Sequence, residues 1–440
     1  MSLTKVTYAM IANGYINVKD FGAVGDGATD DTAAIQAAVA AGMAQQQNAN
    51  GFGSQTGITV FFPRGKYRIS DVIPVNYGCN LLGEQSGLVN SGVGLSTGTV
   101  LLLSNTKPDG SAWTSSTLVG GNTIAKRVMF SVIDGGPIQM RNFGAITESN
   151  NDIDSVFLLS GNGFPVPYNS VGVTQALFSG LRIFAFEAVF KGTRFADVTI
   201  ENCGFEYNRY VFQPTASGFM TFGGINSVTT QYFGNFGVVS IPVGTSFNDS
   251  TFSSCIFFLA PNSNLPMFSG SGGDISNLRF ASCDFSPDTG STGSYFSNLG
   301  TDLLLQGCSF ASCRFKNNPT VTFNYSATAA RYFKNNVFTG CVFENSNIAI
   351  NIEDEFNVIN SCVFIGTSTI TTEASKDLIM NGNNFGDNSV NPPIILNGVP
   401  NGLNISGNLF AAAVTSIPVN VSATRVKMQN NVYFADVLQP

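Results

Sequence analysis

The sequence predicts an all-β chain: a right-handed parallel β-helix, a solenoid of short strands, with a short N-terminal capping helix. Three observations predict it. A six-residue motif recurs at spacings of 21 to 33 residues over the second half of the chain. Apolar residues alternate on both sides of the motif, the mark of half-buried strands. No helical pattern recurs with it. A repeat of strands and bends cannot bury its inner face alone, but stacked repeats bury a continuous core.

The elements follow in order. Residues 1–16 form a lead-in, and residues 17–80 form the cap and first coil. Gly22, Gly25 and Gly27 make a loop, and Thr29 or Asp30 caps the helix that follows. Ile35 and Val39 are an i,i+4 apolar pair on that Ala-rich helix. It is placed as a plug over the open end of the first coil. Residues 57–70, GITVFFPRGKYRIS, read as strand, Pro-Gly turn and strand. Residues 81–180 read as irregular coils with long Gly- and Ser-rich loops. The regular solenoid occupies 181–440.

The motif is an apolar residue, two turn-type residues, Cys or Asn, any residue, then an aromatic. Ile200-Glu201-Asn202-Cys203-Gly204-Phe205 is its first copy, and its later anchors are Cys255, Cys283, Cys308, Cys341, Cys362, Asn383, Asn408 and Asn431. Phe310-Ala311-Ser312-Cys313-Arg314-Phe315 also fits, so the register at Cys308 or Cys313 stays open. Two residues between the apolar position and the anchor break the period of two and mark a bend. The second of them is Asn202, Ser254, Ser282, Gly307, Gly340, Ser361, Gly382, Gly407 or Asn430. Gly and Asn tolerate positive φ, so a left-handed bend is expected once per coil. Stacking at about 4.8 Å then builds internal Phe, Cys and Asn columns. Buried Asn amides are expected to bond along their column. The cysteines read as small buried apolar residues rather than disulfide partners or metal ligands.

Composition narrows the chemistry. The 440 residues include no His, which removes Ser-His-Asp and Cys-His nucleophiles, imidazole bases and His-bound zinc. Catalysis must use carboxylates, Lys, Arg, Tyr or a metal held by oxygens. Lys and Arg number 21 against 28 Asp and Glu, a net charge of −7 with no basic stripe, so nucleic acid is not an expected partner. No apolar run is long enough to span a membrane. MSLTKVTYAM lacks the apolar stretch of a signal peptide, so synthesis in a cytoplasm is expected.

KDFGAVGDGATDDTAAIQAA, followed by VFFPRGKYRIS, resembles the start of the pectate-lyase-like β-helix family common in bacteriophage tailspikes. Tyr8-Ala9-Met10-Ile11 before Asn17-Val18-Lys19-Asp20-Phe21 is similar to the short lead-in joining a tailspike's virion-binding part to its β-helix. The resemblance covers about 60 residues and is specific for fold, not for substrate. It implies a host-surface polysaccharide, capsular or O-antigen, as partner. It also implies attachment to a phage tail or baseplate protein through the N-terminus, a homotrimer, and location in a virion tail. Related polygalacturonases share this opening but carry a Gly-His-Gly motif and a catalytic Asp pair. Here His is absent and the only adjacent Asp pair, Asp30-Asp31, lies in the cap.

Glycoside hydrolysis needs two carboxyl groups. Aligning residues 181–187 on 200–206, a step of 19, sets Glu187 directly beside Glu206 on the outer surface. Like charges so placed raise one carboxyl's pKa, as a general acid requires. Glu201 lies one bend away, with Arg182 stacked beside it. Tyr207, Arg209 and Tyr210 follow as sugar contacts. Asp152 and Asp154, in a polar loop, are further substrate contacts, or calcium ligands if the chemistry is a lyase's. For hydrolysis no metal or cofactor is expected. Glu353-Asp354-Glu355 reads as a solvated loop, and Trp113 as a loop-closing or sugar-stacking residue. Two readings stay open: a polysaccharide depolymerase with Glu187, Glu206 and Glu201 as its catalytic set, and a glycan-binding adhesin of the same fold.

Overall fold

In the computed structural model, residues 15–433 are described except for 48–56, 77, 87–97, 118–122, 134–137, 149–153, 161–172, 193–194, 215–220, 243, 271–273, 289, 299–303, 318–320, 325–332, 351–354, 374–375, 387–393, 398–400 and 411–423. Nearly all of the lead-in, Asp152, Glu353 and Asp354 therefore lie outside the described residues. The chain divides into two compact units, residues 1–215 and 216–440. Each is a right-handed parallel β-helix with three faces.

In the first unit the helix α1, Thr32–Gln47, covers the first coil. Ile35, Ala38 and Val39 are fully buried beneath it. A Cβ at Gly42 would lie 3.4 Å from Val60 and 3.7 Å from Cys79 Sγ, so the helix packs tightly on the coil. Asp30 Oδ1 accepts from the Thr32 amide at 3.1 Å and from its hydroxyl at 2.6 Å, which caps the helix. Asp31 is buried and turns back, accepting from the Val24 and Gly25 amides at 2.6 and 3.2 Å. Asp26 accepts from the amides of Ala28 and Thr29. The carboxylates of the cap thus serve turns and the helix start.

The second and third faces of this unit carry the surface that matters below. Gly65–Ile69, Thr99–Leu103, Gly144–Thr147, Arg182–Phe184 and Gly204–Glu206 stack in parallel on the second. Ile73–Asn76, Arg127–Ile133, Asp154–Ser160, Ala188–Gly192 and Tyr210–Pro214 stack on the third. Inside, the rings of Phe130, Phe157, Phe190 and Phe212 stack 5.3 to 5.6 Å apart. Each such pair adds about 0.5–1.5 kcal/mol beyond its burial.

The second unit shows the motif most clearly. All nine expected bend residues, Asn202 in the first unit and the other eight here, have positive φ between 52° and 66°. Phe257, Phe285, Phe315, Phe343, Phe364, Phe385 and Phe410 form one inner column with ring centroids 4.5 to 5.1 Å apart. All eight cysteines of the chain are free and buried. The Asn ladder forms as expected: Asn383 Nδ2 donates to Asn408 Oδ1 at 3.0 Å, and Asn408 Nδ2 to Asn431 Oδ1 at 3.0 Å.

The open register closes on Cys313. Phe285 pairs with Phe315 and Phe315 with Phe343, so Cys313 joins Cys283 and Cys341 at one bend. Cys308 belongs to a different bend, where its amide donates to Asn336 Oδ1 and the Asn336 amide to Asn357 Oδ1, both at 3.0 Å. Two bends of one coil use the same local chemistry, which is why the motif appears twice there.

Candidate functional site

The coil step at the expected site is 22 residues, not 19. Arg182 pairs with Gly204, Ile183 with Phe205 and Phe184 with Glu206. Glu206 therefore stands over Phe184. The register continues on the third face, where Ala188 pairs with Tyr210, so Arg209 and not Glu206 holds the coil position of Glu187. The expected Glu187–Glu206 adjacency does not exist. The step of 19 matches residue types well, Leu181 to Ile200 and Phe186 to Phe205, but it sets the inward Ile183 on the bend residue Asn202.

Glu187 is 8% exposed and bound by two cations. Lys126 Nζ lies 3.2 Å and Lys191 Nζ 3.4 Å from its Oε2. Burial pulls the Lys191 ammonium below its usual pKa, against the pull of Glu187. Removing this carboxylate would leave the largely buried Lys191 ammonium without its counter-charge.

Glu206 is placed differently. The chain leaves the first face at Glu201, bends at Asn202 with φ 53°, buries Cys203 and enters the second face at Gly204. Alternation then turns Phe205 inward and Glu206 outward. Burial raises the Glu206 carboxyl above its usual pKa, and Arg182 opposes the rise only in part. Arg182 Nη1 is 3.9 Å from Glu206 Oε1. The guanidinium reaches it by lying over Gly204, where any Cβ would overlap it. Arg182 thus serves Glu206, not Glu201 as expected. Glu201 pairs in register with Ser179 at the end of the first face.

Aromatic surface adjoins the carboxyl. Tyr207 has φ 54°, is exposed, and its ring lies 5.4 Å from that of Phe184. Arg209 stands 5.9 Å over the Tyr210 ring, and Tyr210 itself is buried. Sequence reasoning missed Phe184 and Gly204. Phe184 was findable from its outward place beside Ile183, and Gly204 from its lack of a side chain on a strand. Asp154 opens a strand in register with Arg127, and its side chain lies outside the described residues. Trp113 is buried at 1% exposure, so it closes a loop rather than meeting a ligand. Glu355 pairs with Lys376 at 3.3 Å. Among the described residues no three Cys, Asp or Glu side chains converge to hold a metal ion.

A family model described as rhamnogalacturonase A/epimerase, pectate lyase-like, matches residues 15–117. Mannuronan C5-epimerase AlgE2 of Azotobacter vinelandii is 44% identical over 78 residues, 18% of this chain. The match spans only 7% of that epimerase's own length. Tailspike protein 3 of bacteriophage CBA120 superimposes with a TM-score of 0.51 at 12% identity, over 95% of this chain and 61% of that one. The Dettilon tailspike protein does so with a TM-score of 0.52 at 10% identity, over 90% and 71%. At such identities the tailspikes show the fold alone. At that level the resemblance to pectate-lyase-like β-helix proteins and to tailspikes holds.

Proposed function

We propose that this protein is a tailspike-type β-helix that binds a bacterial surface polysaccharide on the second face of its first unit and cleaves it by hydrolysis. Glu206 acts as general acid and Glu201 as the partner carboxylate. Arg182, Phe184, Tyr207 and Arg209 hold the sugars. The observation that carries the reading is the Glu206 carboxyl, raised by burial although a guanidinium lies 3.9 Å away, beside exposed aromatic surface. A general acid must hold its proton at working pH. Aromatic faces and a planar cation are what pyranose rings and their hydroxyls stack on and bond to. The N-terminal resemblance extends the proposal to a host-surface glycan, attachment through the N-terminus, a trimer and a place in a virion tail, and the likeness to two tailspikes supports the shared fold. The family match ends at residue 117 and so brings no uronate chemistry to Glu206.

One observation favours a second reading, binding without cleavage. The register neighbour of Glu206 is Phe184, and not a second carboxylate. The experiment separates the two. A panel of capsular and O-antigen polysaccharides is incubated with the protein and sized before and after. Hydrolysis shortens one of them and creates reducing ends without an unsaturated sugar, and an unsaturated product would mean elimination. Glu206→Gln should lower cleavage by at least about 100-fold and leave binding unchanged. Full cleavage by Glu206→Gln would overturn the assignment. Binding without shortening would leave the adhesin.

A further inference from the structure

The second unit carries a groove of about 570 Å3 on the outer side of its first face, lined by Phe356, Asp377, Ile379, Asn404, Arg425 and Lys427 among others. We infer that this groove is a second glycan site, and that it takes a carboxylate-bearing, uronic-acid-type saccharide. It goes beyond the Glu206 site, which lies in the other unit, and does not depend on it.

The argument starts from one bend. Asn335, Phe356, Asp377, Gly402 and Arg425 all have positive φ, between 53° and 83°. The Asn335 amide bonds to Glu355 O and the Phe356 amide to Lys376 O, so these residues occupy equivalent places on successive coils. Asn, Asp and Gly suit that conformation and Phe356 and Arg425 do not, but Arg425 is held by Asp377 while Phe356 is a bulky aromatic. Phe356 is moreover 55% exposed, so burial does not compensate the strain. Strain held at an exposed aromatic points to a ligand that stacks on it. Ile379, 38% exposed, extends the apolar strip.

The polar groups name the ligand class. Asn404 Oδ1 is buried in the groove wall and has no hydrogen-bond partner. The residue itself is half-exposed in the groove, so a turn of its amide brings this acceptor to a sugar hydroxyl. Asp377 is taken by Arg425 at 2.7 Å and Glu355 by Lys376 at 3.3 Å. Lys427 is exposed, and among the described residues no carboxylate pairs with it. In register, Ile379 pairs with Asn404 and Asn404 with Lys427. One strip thus offers an apolar contact, a hydroxyl acceptor and a surplus cation about 4.8 Å apart in turn. A pyranose with apolar C–H groups, hydroxyls and a carboxylate matches the three. The volume lies in the range of small-ligand sites, about 300–1,000 Å3.

The test is titration calorimetry with hexamers of galacturonate, mannuronate and guluronate and with a hyaluronan hexamer. Methyl-esterified hexagalacturonate serves as the neutral control. At least one acidic hexamer should bind, more weakly as salt rises, and the ester at least tenfold more weakly than its parent acid if that acid binds. Lys427→Gln and Phe356→Asn should each weaken binding at least tenfold. Phe356→Asn installs the residue of the preceding coil, so its melting temperature should equal or exceed that of the wild type, which excludes misfolding as the cause. Arg314→Gln, which removes an exposed cation outside the groove, should bind as the wild type does. No binding by any acidic hexamer at millimolar concentration, equal binding of ester and acid, or unchanged affinity in both groove variants would overturn the inference. A loss in Arg314→Gln as large as that in Lys427→Gln would overturn it too, while leaving the reading of the first unit intact. Groove binding with no polysaccharide shortened would do the reverse.

Discussion

Glu187 and Glu206 have the same side chain and lie on different faces of successive coils, and they meet opposite surroundings. Glu187 is enclosed with Lys126 and Lys191. Glu206 is half-buried against one more distant guanidinium, and burial dominates. The difference has a sign that pH reveals. Because the folded carboxyl of Glu206 is raised above its unfolded value, its contribution to stability is complete below the unfolded carboxylate range and is lost as pH rises through the folded value. The wild type should therefore lose stability over that rise, and Glu206→Gln should lack that increment when melting is followed against pH. Cleavage should fall over the same interval, since the acid must be protonated to act. Glu206 as an outward carboxylate was legible from alternation alone. Its partner was not, because Arg182 reaches it over a glycine on the next coil.

At the scale of the element, the bend and the ladder set the energetics. Ser361 holds φ at 52° between coils that use Gly340 and Gly382 at the same place. Ser361→Val should cost about 1–2 kcal/mol in denaturant unfolding, because a β-branched residue meets the left-handed penalty in full. Ser361→Gly should be neutral or stabilising. Asn408 is the middle of an internal ladder. Its Oδ1 accepts from the Asn383 amide at 2.9 Å and from Asn383 Nδ2 at 3.0 Å, while its own Nδ2 donates to Met380 O at 3.1 Å. Asn408→Leu keeps the branching and heavy-atom count but orphans these groups in the core. The expected loss is about 3 kcal/mol, measured as a lower denaturation midpoint at unchanged slope. Both positions were legible in the sequence, since the motif recurs with Gly, Asn or Ser at one place and Cys or Asn at the next.

At the scale of the whole molecule, charge is scarce and aromatic carbon is plentiful. Charged residues are 11% of the chain and Phe numbers 38. The interior columns take up much of that Phe, and the cysteines sit at the bends beside them. All eight thiols are buried, and burial pushes those of Cys203 and Cys308 up to about 12. A native thiol reagent assay near pH 8 should count none, and the same assay in denaturant should count eight. One or more fast native thiols would contradict the stacked interior. The net charge of −7 gives the molecule a field that repels acidic glycans at distance. Any acidic saccharide must therefore be held by local cations such as Lys427, and slow association at low salt is the corresponding expectation.

The sequence by itself determined the fold class, the capping helix, the place and hand of the motif's nine bends, and the buried state of the cysteines. Each of these is a local matter: the period of side-chain alternation, the tolerance for positive φ, and the preference of small apolar groups for the inside. Only the tertiary structure decided which residues share a coil position. A step of 22 rather than 19 sets Glu206 over Phe184, and the same accounting assigns Cys313 rather than Cys308 to the main column. Lys126, 61 residues before Glu187, removes that carboxylate from the surface. The physical reason is common to all three. Register between coils depends on how much chain each loop absorbs before the next strand pairs, and no local pattern records that length.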